Sequence, residues 1–250
     1  MLDSVEEIFS TGLIETGNSG KKIPLHSHTS REQGIFIQSM FDSVKPANTL
    51  EVGFAYGIST MFILEKHREN NAVEKAHIVI EPDSYWGNAA IHNIEKEGLI
   101  KYLDIRKGYS DMVLTKLFHE DHRIQLAYID TTKQFDVVFQ DFYFIDKILD
   151  VGGLIILDDC AWPGVQRVAR FIATLPHYEI KAAHNKATYS FKKKIASSVT
   201  KLLVRLVPFK SRFYPTINLK TDQELGLNYA CIAFKKIAPD KRNWDFDKTF

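Results

Sequence analysis

The chain has 250 residues, 45% hydrophobic, 25% charged and 12% aromatic, with a formal net charge of +1 at pH 7. That length and balance fit one large globular domain or two small ones and do not indicate disorder. The two cysteines, Cys160 and Cys231, lie in apolar runs, no stretch reaches the length of a membrane span, and the acidic opening is unlike a secretory leader; a soluble, cytoplasmic protein is expected.

Residues 1–29 read as an irregular N-terminal extension with a weak helix from Ser4 to Phe9. His26 and His28, beside Pro24, read as surface residues. Ser30 to Val44 reads as a helix, opened by a capping box of Ser30 and Gln33 and striped by Ile35, Phe36, Met40, Phe41 and Val44. Asn48 to Gly53 is the first core strand, and Ile58 to Arg68 the helix after it. A strand from Ala76 to Ile80 ends in Glu81-Pro82-Asp83, and a helix follows to Ile94. Tyr102 to Arg106 is a strand, with a turn and helix over Gly108 to Phe118. Ile124 to Ile129 is a strand ending in Asp130. Phe135 to Leu149 is a helix stopped by the pair Gly152-Gly153. Leu154 to Leu157 is a strand ending in Asp158-Asp159, Pro163 opens a helix to about Thr174, and Tyr178 to Ala183 and Tyr229 to Lys235 are the last strands.

Strands alternating with helices imply βαβ units. The expected fold is α/β: a Rossmann-like, doubly wound, mainly parallel seven-stranded sheet with one antiparallel strand and helices on both faces. Residues 30–250 are expected to form a single domain, with a basic insert at about 185–220 between the last two strands. From Lys181 to Lys220 there are ten Lys or Arg and no acid, which leaves 22 basic against 31 acidic residues elsewhere. Within it, Lys192 to Pro208 reads as a cationic amphipathic helix. A lid over an acidic substrate, or plain packing on the sheet, suits it better than membrane-surface contact, and nucleic acid is not expected because no stacking pattern accompanies it.

Ligands of such sheets bind beyond the carboxyl ends of the strands. Those ends carry Glu51 with the loop Gly53 to Gly57, then Glu81, Asp130 and Asp158-Asp159. Gly53 permits a tight turn, and Gly57 permits close approach of a ligand to backbone. The helix that follows points free N–H groups at the same place. Glu51 is an acid in an apolar strand and needs a partner if buried; a cationic ligand beyond the turn would supply one. Glu81, 28 residues after Gly53, falls where a ribose-binding carboxylate is expected. The loop has only two of the three glycines of a dinucleotide fingerprint. A cationic, ribose-bearing ligand without phosphate, S-adenosyl-L-methionine, therefore suits it better than a pyrophosphate.

The pattern E-x-G-x-x-x-G-x-S-T, then I-E-P-D, I-D and G-G-L-I-I-L-D-D, resembles the class I S-adenosylmethionine-dependent methyltransferases. More narrowly it is similar to the bacterial branch related to catechol, caffeoyl-CoA and macrolide-sugar O-methyltransferases, including a lead-in Ser30-Arg31-Glu32-Gln33-Gly34. The resemblance covers roughly residues 30–180 and the strand near Tyr229. It implies that Glu51, Gly53, Tyr56, Gly57 and Ser59 hold the methionine part of the cofactor, that Glu81 holds the ribose, and that Gly108-Tyr109-Ser110 lies beside the adenine. Asp130, also counted with the cofactor-binding residues, falls with Asp158 and Asp159 where metal-dependent members place their ligands. Asp159 departs from an Asn common there. Three carboxylates suit Mg²⁺, though each is equally placed to cap a helix. Lys133, three residues after Asp130, resembles the general base of the catechol and caffeoyl-CoA enzymes.

The implied activity is methyl transfer to a hydroxyl of a small molecule or sugar. Two other readings stay open: a short-chain oxidoreductase using NAD(P) through Tyr143 and Lys147, which have the Y-x-x-x-K spacing, and a methyltransferase fold serving only as a binding module. A homodimer is left open.

Overall fold

The computed structural model describes residues 1–17, 20–82, 87–186 and 220–247. The expected amphipathic helix from Lys192 to Pro208 lies outside them. Among the described residues no helix is long and apolar enough to cross a membrane.

The chain opens with α1 (Asp3–Thr11) and a small antiparallel hairpin, β1 (Leu13–Glu15) and β2 (Lys22–Pro24). The segment is better ordered than its sequence suggests: Leu2, Val5, Ile8 and Ile14 are buried against Phe54, Tyr56, Met61 and Phe62. Then follow α2 (Arg31–Val44), β3 (Thr49–Val52), α3 (Ile58–Glu69), β4 (His77–Glu81), α4 (Gly87–Lys96), β5 (Leu103–Lys107), α5 (Ser110–His119), β6 (Ile124–Ile129), α6 (Phe135–Ile148), β7 (Leu149–Leu157), α7 (Pro163–Ile172), β8 (Tyr178–Lys186) and β9 (Tyr229–Lys236).

Strands β3 to β9 form one sheet in the order β5-β4-β3-β6-β7-β9-β8. β3 to β7 are parallel, and β9 runs antiparallel between β7 and β8. The strand order reverses between β3 and β6, the place where open α/β sheets leave a crevice. The expected architecture, with its single antiparallel strand, is what forms. Alternation along the strands divides the core. Leu50, Val52, Ala127, Ile129, Ile155 and Leu157 face the layer of α5, α6 and α7. Leu126, Tyr128, Leu154 and Ile156 face Ile37 and Phe41 of α2 and Ile63 of α3.

Two local readings are corrected. Gly152-Gly153 does not stop a helix. α6 ends at Ile148, and Leu149 leads directly into β7 in extended conformation. The pair lies inside β7, where its register with β6 shifts between Ile124 and Leu126. A Cβ at Gly153 would lie 2.8 Å from the Gln125 carbonyl oxygen, so the irregular pairing requires a residue without one. The capping box is only half made. The Ser30 hydroxyl accepts from the Gln33 backbone N–H at 3.2 Å, but the Gln33 side chain turns to Tyr128 at 2.9 Å instead of back to the helix start.

Candidate active site

The turn after β3 is built on backbone geometry that most side chains resist. Gly53 has φ +97°, and a Cβ there would lie 2.0 Å from the Asp130 carbonyl oxygen. Gly57, the cap of α3, has φ +68°, and its added Cβ would meet Ala90 at 2.8 Å. Between them Ala55 also has positive φ, 42°. Glu81, at the end of the neighbouring β4, staples this turn, accepting from the Phe54 N–H at 3.0 Å. Gly53, Tyr56 and Ser59 line a small cavity with Phe54, Ala55 and Ile58, and Asp130 closes one side. The opposite side comes from the loop after β2: Ser27, His28 and Thr29. His28, although exposed, is thus a cavity wall rather than a bystander. Ring packing of His26 on Tyr56, edge-on at 5.4 Å, holds this loop over the turn.

Glu51 is fully buried, and the partner sought in a ligand is internal. Its carboxylate accepts from the Ser59 hydroxyl, from the Thr60 hydroxyl at 2.7 Å, and lies 3.1 Å from His77 Nε2. His77 Nδ1 in turn meets the Thr49 hydroxyl at 2.8 Å, and Thr49 meets His67 Nε2 at 2.7 Å. Glu51 therefore fixes the first turn of α3 under the cavity rather than facing it. Ser110 opens α5 beyond β5, and the Gly108 N–H reaches the Glu81 carbonyl at 3.4 Å, which brings that loop beside the end of β4.

Beyond β6 and β7 the three acids converge: Asp130, Asp158 and Asp159 each offer an oxygen within 4.8 Å of the others. Lys133 bridges two of them, its Nζ 2.7 Å from Asp130 and 2.8 Å from Asp159. Burial, reinforced by the Asp158 charge, raises the Asp130 pKa to about 6, with Lys133 pulling the other way. Burial likewise raises that of Asp158, opposed by a hydrogen bond from Tyr128. For Lys133 burial disfavours the ammonium, but Asp130 and Asp159 outweigh it and its pKa is raised. Lys133 is thus the internal counter-ion of the group. One ammonium against three carboxylates leaves the ionised cluster with spare negative charge, and its hard oxygen donors fit a divalent cation such as Mg²⁺.

Tyr128 lies beneath this cluster, fully buried, and donates to Asp158 Oδ2 at 2.7 Å. Burial first, then the Asp158 charge, raises its pKa, so the hydroxyl keeps the proton it donates. A second group, Asp146, His177 and Asp240, gathers at the other end of the strands, by the start of β7 and β8 and the end of β9. There Lys236 lies 3.2 Å from Asp146, and Arg242 pairs with Asp240 at 2.7 Å. Lys147 also lies 3.8 Å from Asp240, so its two carboxylates are met by three cations and it is a structural network.

The Tyr143-Lys147 pair lies well along α6 from the strand ends. Tyr143 is 47% exposed rather than core, with the Lys147 ammonium 5.2 Å above its ring. Nothing in that placement brings it to the cavity. The residues that sequence reasoning missed are Ser27, His28, Thr29, Thr60, His77 and Tyr128. Only the last two carried a signal, as polar groups in otherwise apolar strands.

Residues 50–160 match a family model described as "Methyltransferase domain". Every site residue from Glu51 to Asp159 falls within that span. No curated protein matches the chain by sequence. Among solved structures, an O-methyltransferase from Bacillus cereus in complex with S-adenosylhomocysteine superposes with a TM-score of 0.59 at 22% identity, over 74% of this chain and 84% of that one. The O-methyltransferase TomG of tomaymycin synthesis from Streptomyces achromogenes, in complex with S-adenosylmethionine, gives 0.54 at 15% identity over 62% and 73%. CalS11, a TDP-rhamnose 3'-O-methyltransferase of calicheamicin biosynthesis, gives 0.50 at 16% over 62% and 76%. Residues 50–160 thus match a methyltransferase-domain model, and the chain shares the α/β fold of these O-methyltransferase structures.

Proposed function

We propose that this chain is an S-adenosylmethionine-dependent O-methyltransferase that methylates a hydroxyl of a small molecule or sugar, with assistance from a divalent cation. The observation that carries the reading is the juxtaposition of a glycine-turn cavity with a carboxylate cluster through one residue, Asp130, which belongs to both. S-adenosylmethionine, when bound, supplies the electrophilic methyl group. The backbone of Gly53 to Gly57 and the first turn of α3 would hold its methionine part, with Ser59 kept in place by Glu51. Glu81 would hold its ribose, and the turn at Ser110 its adenine. A divalent cation, when bound to Asp130, Asp158 and Asp159, polarises a coordinated hydroxyl.

The chain's own residues do the rest. The walls at Ser27 to Thr29 limit water around the donor. Asp158 and Asp159 orient the acceptor beside the cavity, and such positioning accounts for much of a transfer rate. Lys133, in this reading, is the base: its ammonium, displaced and repelled by a cation on Asp130 and Asp159, gives its proton to solvent before the amine takes the acceptor's. The basic composition of residues 181–220 supports an acidic or phosphorylated acceptor. Two buried free thiols suit a reducing compartment, so we place the enzyme in the cytoplasm.

Titration calorimetry with S-adenosylmethionine tests the donor: heat of binding is expected, and none at millimolar ligand overturns the reading. Asp130→Ala and Asp158→Ala are expected to abolish turnover while the protein still folds. Full activity in excess chelator would remove the cation and leave the methyl transfer standing.

A further inference from the structure

The three carboxylates of the cluster are not held alike. Asp130 and Asp159 are tethered by the Lys133 ammonium, which an incoming cation can displace because it sits on a flexible stem. Among the described residues Asp158 has no ammonium within ion-pair distance. Its Oδ2 accepts from the Tyr128 hydroxyl at 2.7 Å, and its Oδ1 accepts from the Asp159 backbone N–H at 2.7 Å. Both donors are fixed, one in the middle of the sheet and one in the chain itself. A carboxylate has about four acceptor positions. Two are used by these donors, and the Gln33 side chain also reaches Asp158 and favours its ionised form.

Tyr128 is in turn fixed. It occupies β6 in register with Ile156 of β7, which places its ring under Asp158 on the α2 side of the sheet. Its oxygen accepts from the Gln33 side-chain amide at 2.9 Å, across 95 positions of sequence. Gln33 belongs to the first turn of α2, whose start is pinned by Ser30. Gln33, at the start of a helix, thus supports one acid of the cluster both through a fully buried phenol and by its own contact with Asp158.

We propose that Tyr128, backed by Gln33, is a positioning residue that presets Asp158 for cation binding. This rests on the reading of the cluster as a divalent-cation site. Asp158 is the preformed ligand, and Asp130 and Asp159 are recruited as Lys133 withdraws. Removing the phenol oxygen leaves one Asp158 oxygen without its fixed donor while the ring still fills its place in the core. Partners that hydrogen-bond metal ligands from behind change affinity by roughly 10–100-fold when removed.

The test is Mn²⁺ binding, followed by electron paramagnetic resonance of the free ion, on the full chain in four forms: wild type, Asp158→Asn, Tyr128→Phe and Gln33→Met. Melting curves accompany each. Wild type is expected to bind one Mn²⁺ that Asp158→Asn loses. Tyr128→Phe is expected to weaken binding about 10-fold or more, and Gln33→Met, which removes the support of the phenol and its own contact with Asp158, to weaken it in the same direction. Gln33→Met keeps the phenol and the core, so it carries the test if Tyr128→Phe fails to fold. Wild-type affinity in both variants, with Asp158→Asn defective, overturns the positioning role and leaves the cation site standing. Absence of Mn²⁺ binding to wild type overturns the cation site and the positioning role together.

Discussion

At the scale of single residues, Gly53 and Asp141 are under the sharpest constraint. Gly53 combines positive φ with contact to the Asp130 carbonyl, so the donor turn and the cluster residue cannot move apart independently. Gly53→Ala is expected to lower stability by about 1–3 kcal/mol, measured by urea unfolding, and to remove S-adenosylmethionine binding in calorimetry. Asp141 in α6 is the opposite case, a charge with no assigned work. It is fully buried, and among the described residues neither carboxylate oxygen finds a hydrogen-bond partner at normal geometry. Burial raises its pKa to about 6, with Ser110 pulling down and Asp111 pushing up. The unfolded chain ionises it near 3.8, so the folded state holds the extra proton between 3.8 and 6 and stability falls as pH rises through that window. Asp141→Asn is therefore expected to stabilise the protein at pH 8 by about 1–3 kcal/mol and to be neutral near pH 3.5, read from thermal unfolding at the two pH values.

At the scale of elements, the polar ladder Ser59–Glu51–His77–Thr49–His67 ties α3, β3 and β4 together beneath the cavity. His67 is fully buried and burial lowers its pKa to about 3, with His77 adding to the effect. In the unfolded chain it gains a proton near 6.5, so between 6.5 and 3 the unfolded state binds more protons and stability falls as pH falls. The slope from this group is about 1.4 kcal/mol per pH unit, and His67→Gln is expected to flatten it in unfolding curves taken from pH 7 to pH 4.5. The ladder also marks how far the sequence could be read. Apolar runs such as Ile78 to Ile80 announce their strands, and glycines after β3 announce a turn, because both signals are local. The acids at strand ends are legible because topology alone brings those ends together. The partner of Glu51 was not legible: Ser59, Thr60 and His77 come from two other elements, and only packing brings them within 3.1 Å. The hairpin of β1 and β2 escaped because strands of three residues show no period. The role of Gln33 escaped because its local use, in a capping box, competes with a tertiary one that wins.

At the scale of the whole molecule, the N-terminal helix and hairpin are built into the core and the walls of the cavity, not an appendage. Their buried residues share one core with Phe54 and Tyr56 of the glycine turn, and the loop after β2 walls the cavity. The sheet's other end shows a different consequence. β8 runs with the parallel strands and β9 runs back against them, paired from Tyr178 with Lys236 to Lys186 with Tyr229. Both the exit from β8 and the entry to β9 therefore lie on the rim that carries Asp130 and Asp158, and the stem is closed by its own ladder. A connection between two ends already held together costs only about 0.6 kcal/mol for each doubling of its length. The pairing of β8 with β9 is therefore expected to tolerate changes of sequence and length in residues 187–219. Replacing them with a short Gly-Ser linker is expected to leave circular dichroism and S-adenosylmethionine affinity unchanged while altering which acceptors are methylated. The pair of Lys186 and Tyr229 is thus the last rung of the ladder on that rim.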